Sequence, residues 1–285
     1  MTDRLYVLAF DHRTSLMTSF FGVGGEPGPD DVRRARLAKE VIWDGLVRAI
    51  DDGVRRAAAA ALVDATYGAE VIAAAAARGV PVAVPVEASG RRELAFEHED
   101  WRDRLDALDP AWAKVLLRYN PRADPAMNAR QRARLAELDA HCRATGRALM
   151  LELLVPPEPD QQAPDYDTAL RPPLMIGAIE EIRSAGIHPA LWKIEGLVDP
   201  ADCDRVARAA AAPCLVLGRG ADPDAVDRWL RAAAGTPGYV GFAIGRSIWW
   251  DALRAFFDDR ATREEAAARI ATEYQRDVTA YEAAA

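Results

Sequence analysis

Lysine is scarce in this chain. Only Lys39, Lys114 and Lys193 occur among the 36 Lys and Arg residues of the 285, so arginine is the default cation. A guanidinium keeps its proton under all ordinary conditions, whereas an ammonium can lose one and become a nucleophile. A lysine retained inside an apolar run is therefore a candidate for amine chemistry. This describes Lys114 and Lys193; chance suffices for Lys39, which the pattern puts on a charged helical face. Histidine is also sparse: His12, His98, His141 and His188 are scattered, and only His12 adjoins a predicted strand end. Metal ligation needs clustered imidazoles, thiolates or carboxylates, so no metal and no cofactor are expected. Cys142, Cys203 and Cys214 are odd in number and lack C-x-x-C spacing, which argues against a disulfide framework and for reduced packing residues.

Long hydrophobic runs are missing too. The first apolar run is broken at Asp11, so neither a signal peptide nor a membrane span is expected, and a cytoplasmic location follows. The formal charge of -8 speaks against a broad basic surface for nucleic acid or anionic lipid. An anionic small molecule would need a local basic pocket.

Half of the residues are hydrophobic, enough for a large core. Short apolar runs with β-branched residues alternate with longer helical patterns, the signature of βαβ units and a parallel sheet. Eight such runs fall at residues 5–10, 60–63, 82–86, 112–117, 148–154, 190–194, 214–217 and 239–244. The expectation is α/β: a single (β/α)8 TIM barrel over residues 1–285, with an extra C-terminal helix at 263–283. Residues 31–50 set Val32, Ala35, Val41, Ile42, Leu46 and Ile50 near one helical face. The longest irregular stretches, 14–30, 88–110 and 156–173, each follow a strand and so fall on the face where barrel enzymes work.

Each run carries an ionisable residue at or just past its C-terminal end: Asp11, Asp64, Glu87, Lys114, Glu152, Lys193, Arg219 and Arg246. A barrel brings these to one mouth, where unpaired burial of charge is costly, so mutual pairing around a polar ligand is expected. A purely structural ion-pair network is the alternative. Strands four to six are neighbours at about 4.8 Å spacing, which predicts a Lys114–Glu152–Lys193 row. A second ammonium and partial desolvation would favour the neutral, nucleophilic amine, and the carboxylate between them can move protons. Lys193 is the expected nucleophile, because its strand opens toward the turns after strands seven and eight. Those turns read Gly218-Arg219-Gly220 and Gly245-Arg246, where glycines let backbone N–H groups approach an anion, at the usual barrel phosphate position. Tight turns without a ligand are the plainer alternative. Arg13, Arg91 and Arg118 are each candidates for a carboxylate on the substrate.

At these residues the sequence resembles a known family. The runs YVLAFDHR (6–13), WAKVLLRYNP (112–121), LELLVPP (151–157), LWKIEGL (191–197), VLGRGAD (216–222) and GFAIGRSIWWDAL (241–253) are similar to the family of 2-deoxy-5-keto-gluconate 6-phosphate aldolase. That domain is often fused behind a sugar kinase in inositol catabolism; no kinase half lies within these residues, the arrangement of the free-standing form. More distantly the layout is similar to tagatose 1,6-bisphosphate aldolase, a class I barrel enzyme. The resemblance implies Lys193 as Schiff-base residue, Glu152 as acid/base, Lys114 and Asp11 as supporting polar groups, and Arg246 as phosphate ligand. His12 stands where the tagatose enzyme has glutamine, and with Arg118 it is counted among the substrate-binding residues. The implied reaction cleaves 2-deoxy-5-keto-gluconate 6-phosphate to dihydroxyacetone phosphate and malonate semialdehyde. The expected partners are a phosphorylated keto-sugar and further copies of the chain. Another ketose-phosphate aldolase, for tagatose, fructose or a sulfosugar, and a non-catalytic sugar-phosphate-binding barrel are the alternatives.

Overall fold

The computed structural model describes residues 4–285, and the reading of the N-terminus at residues 1–3 lies outside them. Eight parallel strands close into one barrel in sequence order. They are β1 (Leu5–Ala9), β2 (Ala59–Leu62), β3 (Val82–Pro85), β4 (Trp112–Arg118), β5 (Ala148–Leu154), β6 (Leu191–Glu195), β7 (Cys214–Leu217) and β8 (Tyr239–Ile244). The helices are α1 (Pro29–Asp51), α2 (Ala65–Arg78), α3 (Trp101–Leu108), α4 (Pro125–Ala144), α5 (Arg171–Ser184), α6 (Pro200–Ala210), α7 (Pro223–Ala234), α8 (Arg246–Phe257) and α9 (Arg263–Ala283). The (β/α)8 barrel with an added C-terminal helix is thus as the periodicity predicts.

Local chemistry sets several helix starts. In Asp124-Pro125, Asp199-Pro200 and Asp222-Pro223 the aspartate accepts a hydrogen bond from a first-turn N–H while the proline pre-sets the first helical residue. Thr262 and Glu265 form a reciprocal capping box at the start of α9. That helix packs on α1, α8 and α7, and its Tyr274 hydroxyl donates to the Tyr6 carbonyl at 2.7 Å, tying it to β1.

Alternation along the strands divides the core in two. Tyr6, Leu8, Val84, Val115, Leu151, Trp192, Ile194 and Val216 pack outward against the helices. Val7, Ala9, Ala60, Leu62, Ala83, Met150, Leu191, Leu215 and Ala243 form a smaller cluster inside the barrel. Lys114 pairs in register with Met150, and Glu152 with Lys193, so the period of two turns all three long polar side chains inward. The inward residues of β1, β2, β3 and β8 include four alanines, which leave room for side chains reaching across from β4, β5 and β6.

Two expectations are corrected. Lys39 is not on a charged outer face but is 1 % exposed; its ammonium pairs with Asp64 at 2.6 Å and donates to the carbonyls of Phe10 and, at 2.9 Å, His12. Helical periodicity tells which residues share a face but not how far a long side chain reaches beneath it. The three long irregular stretches are also more ordered than their composition suggests. They contain short helical turns at Leu16–Phe20, Pro159–Gln161 and Tyr166–Leu170, and the helix α3.

Candidate active site

A cavity of about 510 Å3 opens at the C-terminal ends of the strands. Of the eight strand-end ionisable residues, Asp11, Glu87, Lys114, Glu152, Lys193, Arg219 and Arg246 line it, together with His12, Arg118, Gly218, Gly220 and Gly245. Asp64 is the exception: it caps α2 by accepting from the Tyr67 N–H at 2.9 Å and faces Lys39 instead.

The Lys–Glu–Lys row is present. Glu152 bridges the two ammoniums, with Oε2 2.9 Å from Lys114 and Oε1 2.9 Å from Lys193. Lys114 additionally meets Asp11 at 2.8 Å and Glu87 at 2.7 Å. The charge balance therefore differs from the expected one, since three carboxylates surround two ammoniums and no excess of positive charge presses on Lys193. Burial works against the charge on Lys114, but Asp11, Glu152 and Glu87 outweigh it and hold the ammonium far above the ordinary lysine range. Burial likewise opposes ionisation of Asp11 and Glu152, yet Lys114 first and Lys193 second keep both carboxyls below the usual carboxylate range.

Lys193 is nearly as buried as Lys114, at 3 % against 1 % exposure, but among the described residues its only ion pair is with Glu152. One ammonium is locked by three anions, and the other shares a single one.

His12 adjoins this cluster. Burial depresses its imidazole to about 3, with Lys39 and Arg246 adding to the effect and Asp11 opposing it, so the ring is neutral. Among the described residues its Nδ1 is buried without a hydrogen-bond partner. The ring rests edge-on against Trp249, whose Nε1 donates to the Ala9 carbonyl at 3.0 Å.

The two glycine-arginine turns adjoin at the β7–β8 side. Arg219 and Gly220 both have left-handed backbone, at φ 52° and 70°. The Arg246 guanidinium lies against this turn and donates to the Arg219 carbonyl at 2.7 Å; a Cβ at position 220 would come within 2.5 Å of it. A Cβ at Gly245 would sit 2.1 Å from the Ala9 carbonyl, so that glycine is required by the closure of β8 on β1. The first N–H groups of α8, left unpaired in any helix, start at this rim. Among the described residues Arg246 and Arg118 bond only to carbonyls, Arg118 to that of Arg91 at 2.8 Å. Arg219, by contrast, is engaged by Glu195 at 3.2 Å and Asp167 at 3.0 Å. Of the three arginines proposed for a substrate carboxylate, Arg13 is occupied by Glu97 at 3.0 Å and the Glu87 carbonyl at 2.7 Å.

Sequence reasoning passed over Glu195 and Asp167. Glu195 follows Lys193 by two positions and faces the same way, a signal the alternation carried; burial pushes its carboxyl above the usual range despite Arg171. Asp167 belongs to a loop, where no periodicity reports on contacts. Among the described residues no group of three or more His, Cys, Asp or Glu is placed to hold a metal ion, and no helix is long and apolar enough to cross a membrane.

Active sites of (β/α)8 barrels lie at this strand end, and the fold is a common enzyme scaffold. A crystal structure of Cgl0159 from Corynebacterium glutamicum is similar over 94 % of this chain and 85 % of its own, with a TM-score of 0.59 and 20 % identity. That likeness concerns the fold. No curated protein matches the sequence. Over residues 1–285 the chain belongs to the family described as "uncharacterized protein conserved in bacteria (DUF2090)".

Proposed function

We propose that the protein is a class I aldolase cleaving a phosphorylated keto-sugar through a Schiff base on Lys193. The observation that carries this is the unequal partnership of two buried lysines: Lys114 is held charged by three carboxylates, while Lys193 shares one carboxylate and opens on the cavity. Glu152 takes a proton from Lys193, the amine adds to the substrate ketone, and the proton is returned as the carbinol oxygen leaves as water, giving an iminium. Glu152, again a carboxylate, then takes the proton of the hydroxyl on the β-carbon. The bond between the α- and β-carbons breaks, its electron pair enters the iminium to give an enamine, and an aldehyde departs. Reprotonation of the enamine carbon and addition of water release the ketone product and free the lysine. Lys114 holds Glu152 in place and ionised, and Asp11 anchors Lys114. Arg246, the Gly218–Gly220 turn and the first turn of α8 bind the phosphate.

The resemblance supplies the specific substrate, 2-deoxy-5-keto-gluconate 6-phosphate, with dihydroxyacetone phosphate and malonate semialdehyde as products. We further place the enzyme in the cytoplasm as a homo-oligomer; its three buried, unpaired cysteines suit a reducing compartment. Incubation with dihydroxyacetone phosphate and borohydride is expected to add one reduced substrate mass, mapped by peptide analysis to Lys193. A label on Lys114, or trapping that persists in Lys193→Ala, overturns the assignment.

A further inference from the structure

We propose that Arg219 is a latent phosphate ligand and that Asp167 is its internal competitor. An incoming phosphate would take Asp167's place on the Arg219 guanidinium and so loosen the turn that carries Asp167, within the segment 156–170, from the rim. The inference rests on the placement of phosphate at the β7–β8 turns made above, and not on the Schiff base.

Arg219 stands on a left-handed turn between two glycines and lines the cavity. Its carbonyl accepts from Arg246 at 2.7 Å, so an anion drawn to Arg246 arrives beside it. Two carboxylates already share its charge, and they differ in how firmly they are held. Glu195 is 5 % exposed in its side chain, contacts Arg219 Nε at 3.2 Å through Oε1, and accepts the Val155 N–H at 2.8 Å through Oε2. Moving it would strand a buried backbone donor. Asp167 is 53 % exposed and accepts from Arg219 Nη1 at 3.0 and 3.2 Å. Its departure would expose a carboxylate to water, which costs little.

The same Asp167 also accepts from Arg171 Nε at 3.0 Å, and Arg171 donates separately to the Gly196 carbonyl at 3.1 Å. A displaced Asp167 therefore keeps one cationic partner while Arg219 gains a dianion for a monoanion. Asp167 belongs to the turn Tyr166–Leu170, in the loop between β5 and α5. Its contact with Arg219 joins that loop to the turn after β7, across the mouth of the barrel. Occupancy of the phosphate subsite and attachment of the loop are then competing uses of one guanidinium, and each must weaken the other by the same factor.

Inorganic phosphate serves as the probe, because it carries no ketone and its binding is indifferent to Lys193 chemistry. By calorimetry, Asp167→Asn is expected to bind phosphate about two- to fivefold more tightly than the wild type, the range of an exposed ion pair. Arg219→Gln should bind more weakly, and adding Asp167→Asn to it should restore nothing, a result that a merely structural role for Asp167 would not give. Hydrogen exchange in residues 156–170 should rise on adding phosphate to the wild type and be raised in Asp167→Asn without it. Equal or weaker phosphate binding by Asp167→Asn, or exchange in 156–170 indifferent to phosphate, overturns the proposal. Failure of borohydride trapping with these binding results intact would remove the aldolase reading and leave the exchange of partners standing.

Discussion

The protein buries lysine–carboxylate contacts in two places. Between α1 and the end of β2, Lys39 meets Asp64 at 2.6 Å, with both side chains 1 % exposed, and it also donates to the main-chain carbonyls of Phe10 and His12 just after β1. In the barrel, Lys114, Glu152 and Lys193 make contacts of similar length, but with a cavity above them and a surplus of carboxylates. The first site is closed: the Lys39 ammonium is spent on fastening α1 to the ends of the first two strands. The second leaves one amine with a single partner and space for a ligand. Burial and pairing alone do not distinguish Lys39 from Lys193; access to a cavity and inequality of partners do.

The sharpest way to break this comparison is to remove one lysine from each site. Lys193→Met is expected to lower turnover by at least about three orders of magnitude and to abolish borohydride labelling with the fold retained; measurable turnover near the wild-type rate would end the claim. Lys39→Met leaves Asp64 as an unpaired buried charge, and about 3–5 kcal/mol of stability should be lost in urea unfolding, with the Lys193 label still forming in whatever remains folded. A stability change under ~1 kcal/mol would mean that Asp64 is neutral or solvated.

A smaller effect is expected from Arg246→Ala. Loss of a charge-assisted contact of about 1.5–3 kcal/mol should raise KM for the phosphorylated substrate with kcat less affected. Unchanged kcat/KM would move the phosphate elsewhere.

Smallest per pH unit is an effect of acidity at the edge of the two sites. His12 is neutral when folded, its imidazole depressed to about 3 by burial, while the unfolded chain protonates near the ordinary value of about 6.5. Between those values the unfolded state binds the extra proton. Stability is therefore present above pH ~6.5 and lost as pH falls toward 3, at no more than about 1.4 kcal/mol per pH unit. Urea midpoints at neutral and mildly acidic pH should fall less steeply in His12→Gln; equal slopes would show that the imidazole stays solvated.

Much of this was legible in the chain itself. The intervals 148–154, 214–217, 239–244 and 263–283 agree with β5, β7, β8 and α9 at both ends, because apolar runs there stop at proline, glycine or a capping threonine, and such punctuation is local. The Lys–Glu–Lys row was legible through the alternation of β4, β5 and β6. The partners of Lys114 were only partly so: Asp11 lies 103 positions away and Glu87 lies 27 away. Their appearance at strand ends announced a shared mouth, not that both would converge on one ammonium. Lys39 was misplaced for a related reason, since its partner Asp64 belongs to the following βα unit.

By itself, then, the sequence determined the eight strands, their order, the inward row of Lys114, Glu152 and Lys193, and the glycine-arginine turns, because period, propensity and capping act over a few neighbouring residues. Tertiary structure alone decided which lysine is enclosed by three anions and which by one, that Lys39 belongs to the frame, and that Arg219 is held by Asp167, 52 positions away. Such contacts join residues that only barrel closure brings together, and Coulomb energies at about 3 Å depend on distance and burial in ways no local pattern encodes.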